Sequence, residues 1–205
     1  MLLIFANVSY MAFLFFLGFV REVMEKYQFT IKQGDDSGRT PLHIAAQMGN
    51  EKFVKLLLEN DNSLAYVKNN EGLSAFHIAA KEGNVNVMKE LITRSPDIYE
   101  LLDNRGPTAL HVAAESGKHE AVSFFLMRPH KFEGLINEQD KEGNTFMHLA
   151  AIKRKDKVVD LLEEGKGLDL NPKNKEGFTT LDHIFLRQKL NFLQKVRPFC
   201  HNLLR

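Results

Sequence analysis

The sequence predicts an all-α fold, a solenoid of stacked helix-turn-helix units with short β-hairpin-like fingers between them. Three observations predict it. A phrase at residues 39 to 50, RTPLHIAAQMGN, returns as LSAFHIAAKEGN (73 to 84), PTALHVAAESGK (107 to 118) and NTFMHLAAIKRK (144 to 155). Its histidines, His43, His77, His111 and His148, stand 34, 34 and 37 residues apart, and Asp182 takes the same place 34 later. Each phrase is followed by a stretch whose apolar residues recur at helical spacing: EKFVKLLLE, VNVMKELI, HEAVSFFL and DKVVDLLE. Self-similarity at such a period marks an array, in which each unit buries its apolar face only against its neighbours.

The elements of one unit follow in order. A glycine (Gly38, Gly72, Gly106, Gly143, Gly177) stands five residues before the histidine position, in a polar connector. Asp35, Asn69, Asp103, Asp140 and Asn174 precede those glycines by three, where a short side chain closes a turn on its own backbone. Thr40, Ser74, Thr108, Thr145 and Thr179 then stand where a helix begins, and a hydroxyl there satisfies an unpaired N–H, worth about 1 kcal/mol. Pro41 sits at the first helical position, where its missing N–H costs nothing. Leu42, Phe76, Leu110, Met147 and Leu181 are expected to point into the stack. The alanine pairs after the histidines let neighbouring helices approach closely. Gly49, Gly83 and Gly117 end the first helix by taking a left-handed backbone.

With its period of 33 to 34 residues, RTPLHIAA resembles the ankyrin repeat letter for letter. The tetratricopeptide motif shares the period, but its pattern needs Trp and this chain has none. The ankyrin resemblance implies a structural role for Thr40, Pro41, Leu42 and the four histidines, which bond near the threonine of their own motif. It also implies a concave recognition surface built from finger tips and the exposed side of the first helices. On that surface the residues that change from unit to unit are Ser37, Arg39, Glu71, Leu73, Arg105, Pro107, Glu142, Asn144 and Phe178 on fingers, and Met48, Lys81, Glu82 and Ile152 on helices. Leu73, Pro107 and Phe178 are the expected apolar anchors. The stretch ELLDNRGPTALHVAAESG is similar to plant ankyrin arrays of the accelerated-cell-death type. Those join the array to a C-terminal multi-helix membrane domain and take part in defence or stress signalling at the plasma membrane. This chain reaches Arg205 without such a domain, which gives the expectation of a truncated relative.

The chain divides into a hydrophobic leader at 1–20, a remnant of a leading repeat at 21–35, an array at 36–200 with units starting near 36, 70, 104, 141 and 175, and a basic end at 201–205. Met1 to Val20 carry no charge and, as a helix, would be about 30 Å long, enough to span a bilayer. Arg21, Lys26 and Lys32 follow, which would keep the rest cytosolic. A second reading makes FVREVMEK (19 to 26) the outer helix of an incomplete first unit, since a shift of 34 places it on FVKLLLEN.

Two units depart from the pattern. The fourth has Arg154 at the glycine position and three extra residues in MRPHKFEGLINEQD (127 to 140), expected as a longer loop. The fifth has Asp182 for histidine, Ile184-Phe185 for the alanine pair and Gln188 for glycine.

Composition narrows the function. With 27 basic and 26 acidic residues the net charge is +1, which gives no electrostatic case for nucleic acid. Cys200, the single cysteine, cannot form an internal disulfide. No phosphate loop, nucleophile elbow or metal motif occurs, and histidines on units about 10 Å apart cannot share one zinc. The expectation is a non-catalytic protein-binding module with no cofactor and no small-molecule substrate, either cytoplasmic or held by Met1–Val20 on the cytosolic face of a membrane.

Overall fold

A computed structural model describes Glu22 and residues 30–104, 106–163 and 168–186. The leader, Arg105, Gln188, the basic end and Cys200 lie outside the described residues. A 3₁₀ turn, Thr30–Lys32, opens the described chain and buries Ile31. Helix α1 (Pro41–Gln47) pairs with α2 (Glu51–Asn60), α3 (Ala75–Glu82) with α4 (Val85–Arg94), and α5 (Ala109–Ser116) with α6 (His119–Leu126). Helix α7 (Pro129–Ile136) follows, then α8 (Phe146–Ile152) and α9 (Asp156–Val159), which tightens into the 3₁₀ turn Asp160–Glu163. Residues 180–186 are helical and form α10.

The first helices of each pair stack on one another as one layer, α1 on α3, α3 on α5 and α5 on α8, and the second helices form the other. Alanine makes the close stack feasible: Ala45, Ala46, Ala79, Ala80, Ala113, Ala114, Ala150 and Ala151 are all buried. Between the layers lie Leu42, Leu57, Phe76, Met88, Leu91, Leu110, Phe125 and Met147. Each contributes roughly 1.5–3 kcal/mol on full burial. Leu181 departs from the expectation that it points inward. It is 40% exposed, because α10 is the last described helix and no described element covers its outer side.

The expected loop at 127–140 is instead helix α7. Pro129 stands in its first turn, where proline starts a helix, and Gly134 is exposed. The backbone kinks at Phe132 (φ −117°, ψ 21°), which turns that ring into the core at 1% exposure. There it lies 4.9 Å from the Phe125 ring and 5.0 Å from Tyr99, edge to face in both cases. The apolar residues Phe132, Leu135 and Ile136 draw the insertion inward.

Candidate binding surface

Four of the fingers are closed by their own Asp or Asn. The Asn69 Oδ1 accepts from the Glu71 N–H at 3.0 Å and the Leu73 N–H at 2.9 Å, and Asp35, Asp140 and Asn174 do the same in their fingers. Single antiparallel bridges, Lys68 with Ser74 and Leu102 with Thr108, make these connectors hairpin-like. Successive fingers are laced together: Asn70 Nδ2 donates to Asp36 O at 3.0 Å, Asn104 Nδ2 to Asn70 O at 3.1 Å and Lys141 Nζ to Asn104 O at 2.8 Å. Gly38 shows why its position excludes a side chain. Its φ is +74°, and a Cβ would stand 2.5 Å from Asn70 Oδ1.

The histidines join fingers to helices. His43 Nδ1 accepts from the Thr40 N–H at 3.1 Å and lies 2.8 Å from its hydroxyl. That fixes the proton on Nε2, which reaches Leu73 O of the next finger at 3.0 Å. His111 reaches Asn144 O and His148 reaches Phe178 O, each at 3.1 Å. Ser74, Thr108 and Thr145 hold the ring nitrogen of His77, His111 and His148 as Thr40 holds that of His43. Burial lowers the pKa of all four, that of His77 to about 4, so the rings are neutral near pH 7. In the last described unit Asp182 Oδ2 does the work of the imidazole, accepting from the Thr179 N–H at 2.9 Å and its hydroxyl at 2.8 Å.

The structure redistributes the expected contact residues. Ser37, Glu71, Glu142, Lys81, Met48, Ile152 and Phe178 are exposed, Met48 at 75%. Arg39 is half-buried and tied to Asp35 by two nitrogens at 2.9 and 2.8 Å, and Glu82 leans toward Lys118. Leu73, Pro107 and Asn144 are corrections: all three are buried, Leu73 at 4%. Their position is the return arm of the finger, whose carbonyl must face the preceding helix, so the side chain turns under the stack. Phe178 holds that same position at the end of the described array and stays open.

Two clefts run between the fingers and the first helices. The larger of the two, about 540 Å³, is lined by Glu71, Lys81, Asp103, Asn104, Glu115 and Ser116, among others. The other, about 440 Å³, takes Glu142, Ile152, Arg154, Lys175, Glu176 and Leu186. Glu115 and Ser116 were legible by register, standing 34 residues after Lys81 and Glu82. Arg154 was visible only as a broken glycine position. Among the described residues no three His, Cys, Asp or Glu side chains gather to hold a metal, and the buried imidazoles already serve the scaffold. The face can recognise shape and charge.

A family model for ankyrin repeats, three copies long, matches residues 11–100, 62–133 and 77–174. The chain belongs to the ankyrin repeat family. It is also similar to the ankyrin repeat-containing protein BDA1 of Arabidopsis thaliana, 47% identical over 51 residues. That match takes in 25% of this chain and spans 12% of the relative's length. An ankyrin array is a protein–protein interaction module.

Proposed function

We propose that this ankyrin array is a non-catalytic binding module that takes a protein partner on the face made by its fingers and first helices. One observation carries the reading. The letters shared by the units are buried in the scaffold, whereas the letters that differ, Glu71, Lys81, Glu142 and Ile152 among them, converge in two clefts. The chemistry of those clefts, acid beside base with apolar floor, suits a folded protein surface or an extended segment of mixed character.

The setting we propose is the cytosolic side of a membrane, with Met1–Val20 as the tether, in plant defence or stress signalling. The uncharged leader supports the tether. The Arabidopsis relative supports the plant context, and the resemblance to accelerated-cell-death arrays supports the process. Among the described residues no helix is long and apolar enough to cross a membrane, and the leader lies outside them.

Photo-crosslinking tests the surface. A crosslinker at Met48 or Glu71 is expected to trap the partner, and one at Lys55 or Lys89, exposed on α2 and α4, is not. Equal trapping from both layers would defeat the assignment. Repeating the experiment on carbonate-washed membranes tests the tether, which is lost if the chain moves to the soluble pool.

A further inference from the structure

The two clefts are equivalent in register. A shift of 71 residues, the distance from His77 to His148, carries the lining of the larger onto that of the smaller. The letters invert on the way. Leu73 and Val112, each buried at 4% exposure, become Asn144 and His183, whereas the charges Lys81 and Glu115 become Ile152 and Leu186. Gly83, which ends α3, becomes Arg154 in the same left-handed backbone, φ 57° against 79°. Three scaffold positions of the second and third units thus carry an amide, an imidazole and a guanidinium, and all three line one cleft of about 440 Å³. Each exchange works against the fold, since polar groups replace buried apolar ones and a side chain stands where glycine is favoured. Local rules broken together at one place mark a site.

The polar lining is held in order. Asn174 Oδ1 accepts from the Glu176 and Phe178 N–H groups at 3.1 and 3.0 Å, which fixes the amide. Its Nδ2 then donates to Asn144 Oδ1 at 3.0 Å and toward His183 Nε2 at 3.4 Å. An imidazole that accepts on Nε2 carries its proton on Nδ1. Among the described residues that N–H has no acceptor, and the exposed Arg154 guanidinium has neither hydrogen bond nor ion pair. Of the other charges, Glu142 leans on Lys175 at 4.0 Å and Glu176 is exposed. We infer that this cleft is a carboxylate subsite: it takes an Asp or Glu side chain of an extended partner segment, the carboxylate on Arg154 and His183 Nδ1 and its apolar neighbours against Ile152 and Leu186. A guanidinium matches a carboxylate in charge and fork geometry. Apolar walls around a few convergent polar groups make a pocket specific. Glu142 and Glu176 oppose a row of phosphates, which favours a protein segment over nucleic acid or an anionic membrane. The inference rests on the binding reading above and names the partner's chemistry at one point of that face.

Magnetic resonance titration of the full chain with end-blocked tripeptides tests it. Leu-Asp-Leu at millimolar concentration is expected to shift the His183 ring and the Arg154 Nε–H, and Leu-Asn-Leu and Ser-Asp-Ser to bind about ten-fold more weakly. Arg154→Gly, which copies Gly83, and His183→Val, which copies Val112, should each weaken Leu-Asp-Leu by about ten-fold, read at whichever group remains. If a variant fails to fold, the ranking of the three tripeptides on the unaltered chain decides alone. No shift at about 10 mM peptide, equal binding of the Asp and Asn peptides, or binding undiminished in a folded Arg154→Gly overturns the subsite. A short single-stranded oligonucleotide or phosphatidylserine vesicles that shift the same groups more strongly than Leu-Asp-Leu overturn it in favour of a phosphate surface. Tripeptides that fail while crosslinking from Met48 or Glu71 still traps a protein remove the subsite and keep the binding reading. The opposite result keeps the subsite and removes the wider face.

Discussion

The second and fourth units reach one geometry with different letters. In the second, α3 ends at Gly83 with φ 79°, and the chain returns through a short 3₁₀ turn, Ile98–Glu100. In the fourth, α8 ends at Arg154 with φ 57°, and the stretch leading into the unit holds the extra helix α7. Both still bury their alanine pair and both still hold a histidine against a capping hydroxyl. The array therefore demands a backbone shape and a buried surface at each register. Residue identity is the usual means of meeting that demand and is replaceable where neighbours compensate.

The insertion is where that claim meets the largest expected effect. If α7 belongs to the core, Phe132→Ala should lower stability by about 3–5 kcal/mol, the cost of an aromatic-sized cavity. The loss falls on the ring cluster of Phe124, Phe125 and Tyr99, which surrounds Phe132 at 4.9–5.8 Å. Urea unfolding followed by circular dichroism measures it. A change under about 1 kcal/mol would return α7 to the status of a surface ornament.

Acid sharpens the comparison between the four histidine units and the aspartate one. The folded pKa of His43, His77, His111 and His148 lies below the ordinary 6.5, so the unfolded chain binds more protons as pH falls. Their contribution is whole above about pH 6.5 and drains away as pH drops through the folded values, for His77 about 4. Each contributes a slope of up to about 1.4 kcal/mol per pH unit within its window. Asp182 differs: its bonds to Thr179 lower its pKa from 3.8, so its cap weakens only in stronger acid. A melting temperature that falls steadily from pH 7 to 5 is expected. A flat profile over that range would mean the rings are not held neutral.

The scaffold was legible in the sequence because its causes are local and repeated. A hydroxyl, an imidazole three residues on and a glycine at fixed distance each satisfy a backbone need within one unit, and repetition shows which letters matter. The site was less legible. Leu73, Pro107 and Asn144 look like finger tips by position but are buried, and the carbonyls of Leu73 and Asn144 are held by a histidine 30 or more residues away. The inward turn of Phe132 is likewise invisible to a pattern that has no counterpart insertion in other units. Pairwise geometry across units decides such cases, and a one-unit motif carries no record of it.

Arg154 gives the smallest effect and the finest test. A left-handed backbone costs a residue with a Cβ roughly 1–2 kcal/mol, whereas Gly49, Gly83 and Gly117 adopt it freely. Arg154→Gly removes that strain but adds chain entropy to the unfolded state, leaving an expected gain of about 0.5–1 kcal/mol in urea unfolding. A loss of stability would show that the arginine side chain supports the fold. If stability rises and a crosslinker at Glu142 still traps the partner, the arginine is a tolerated exception. If stability rises and trapping falls, the strained backbone holds the guanidinium in the cleft between the fourth and fifth fingers, where it serves recognition at the expense of the helix end.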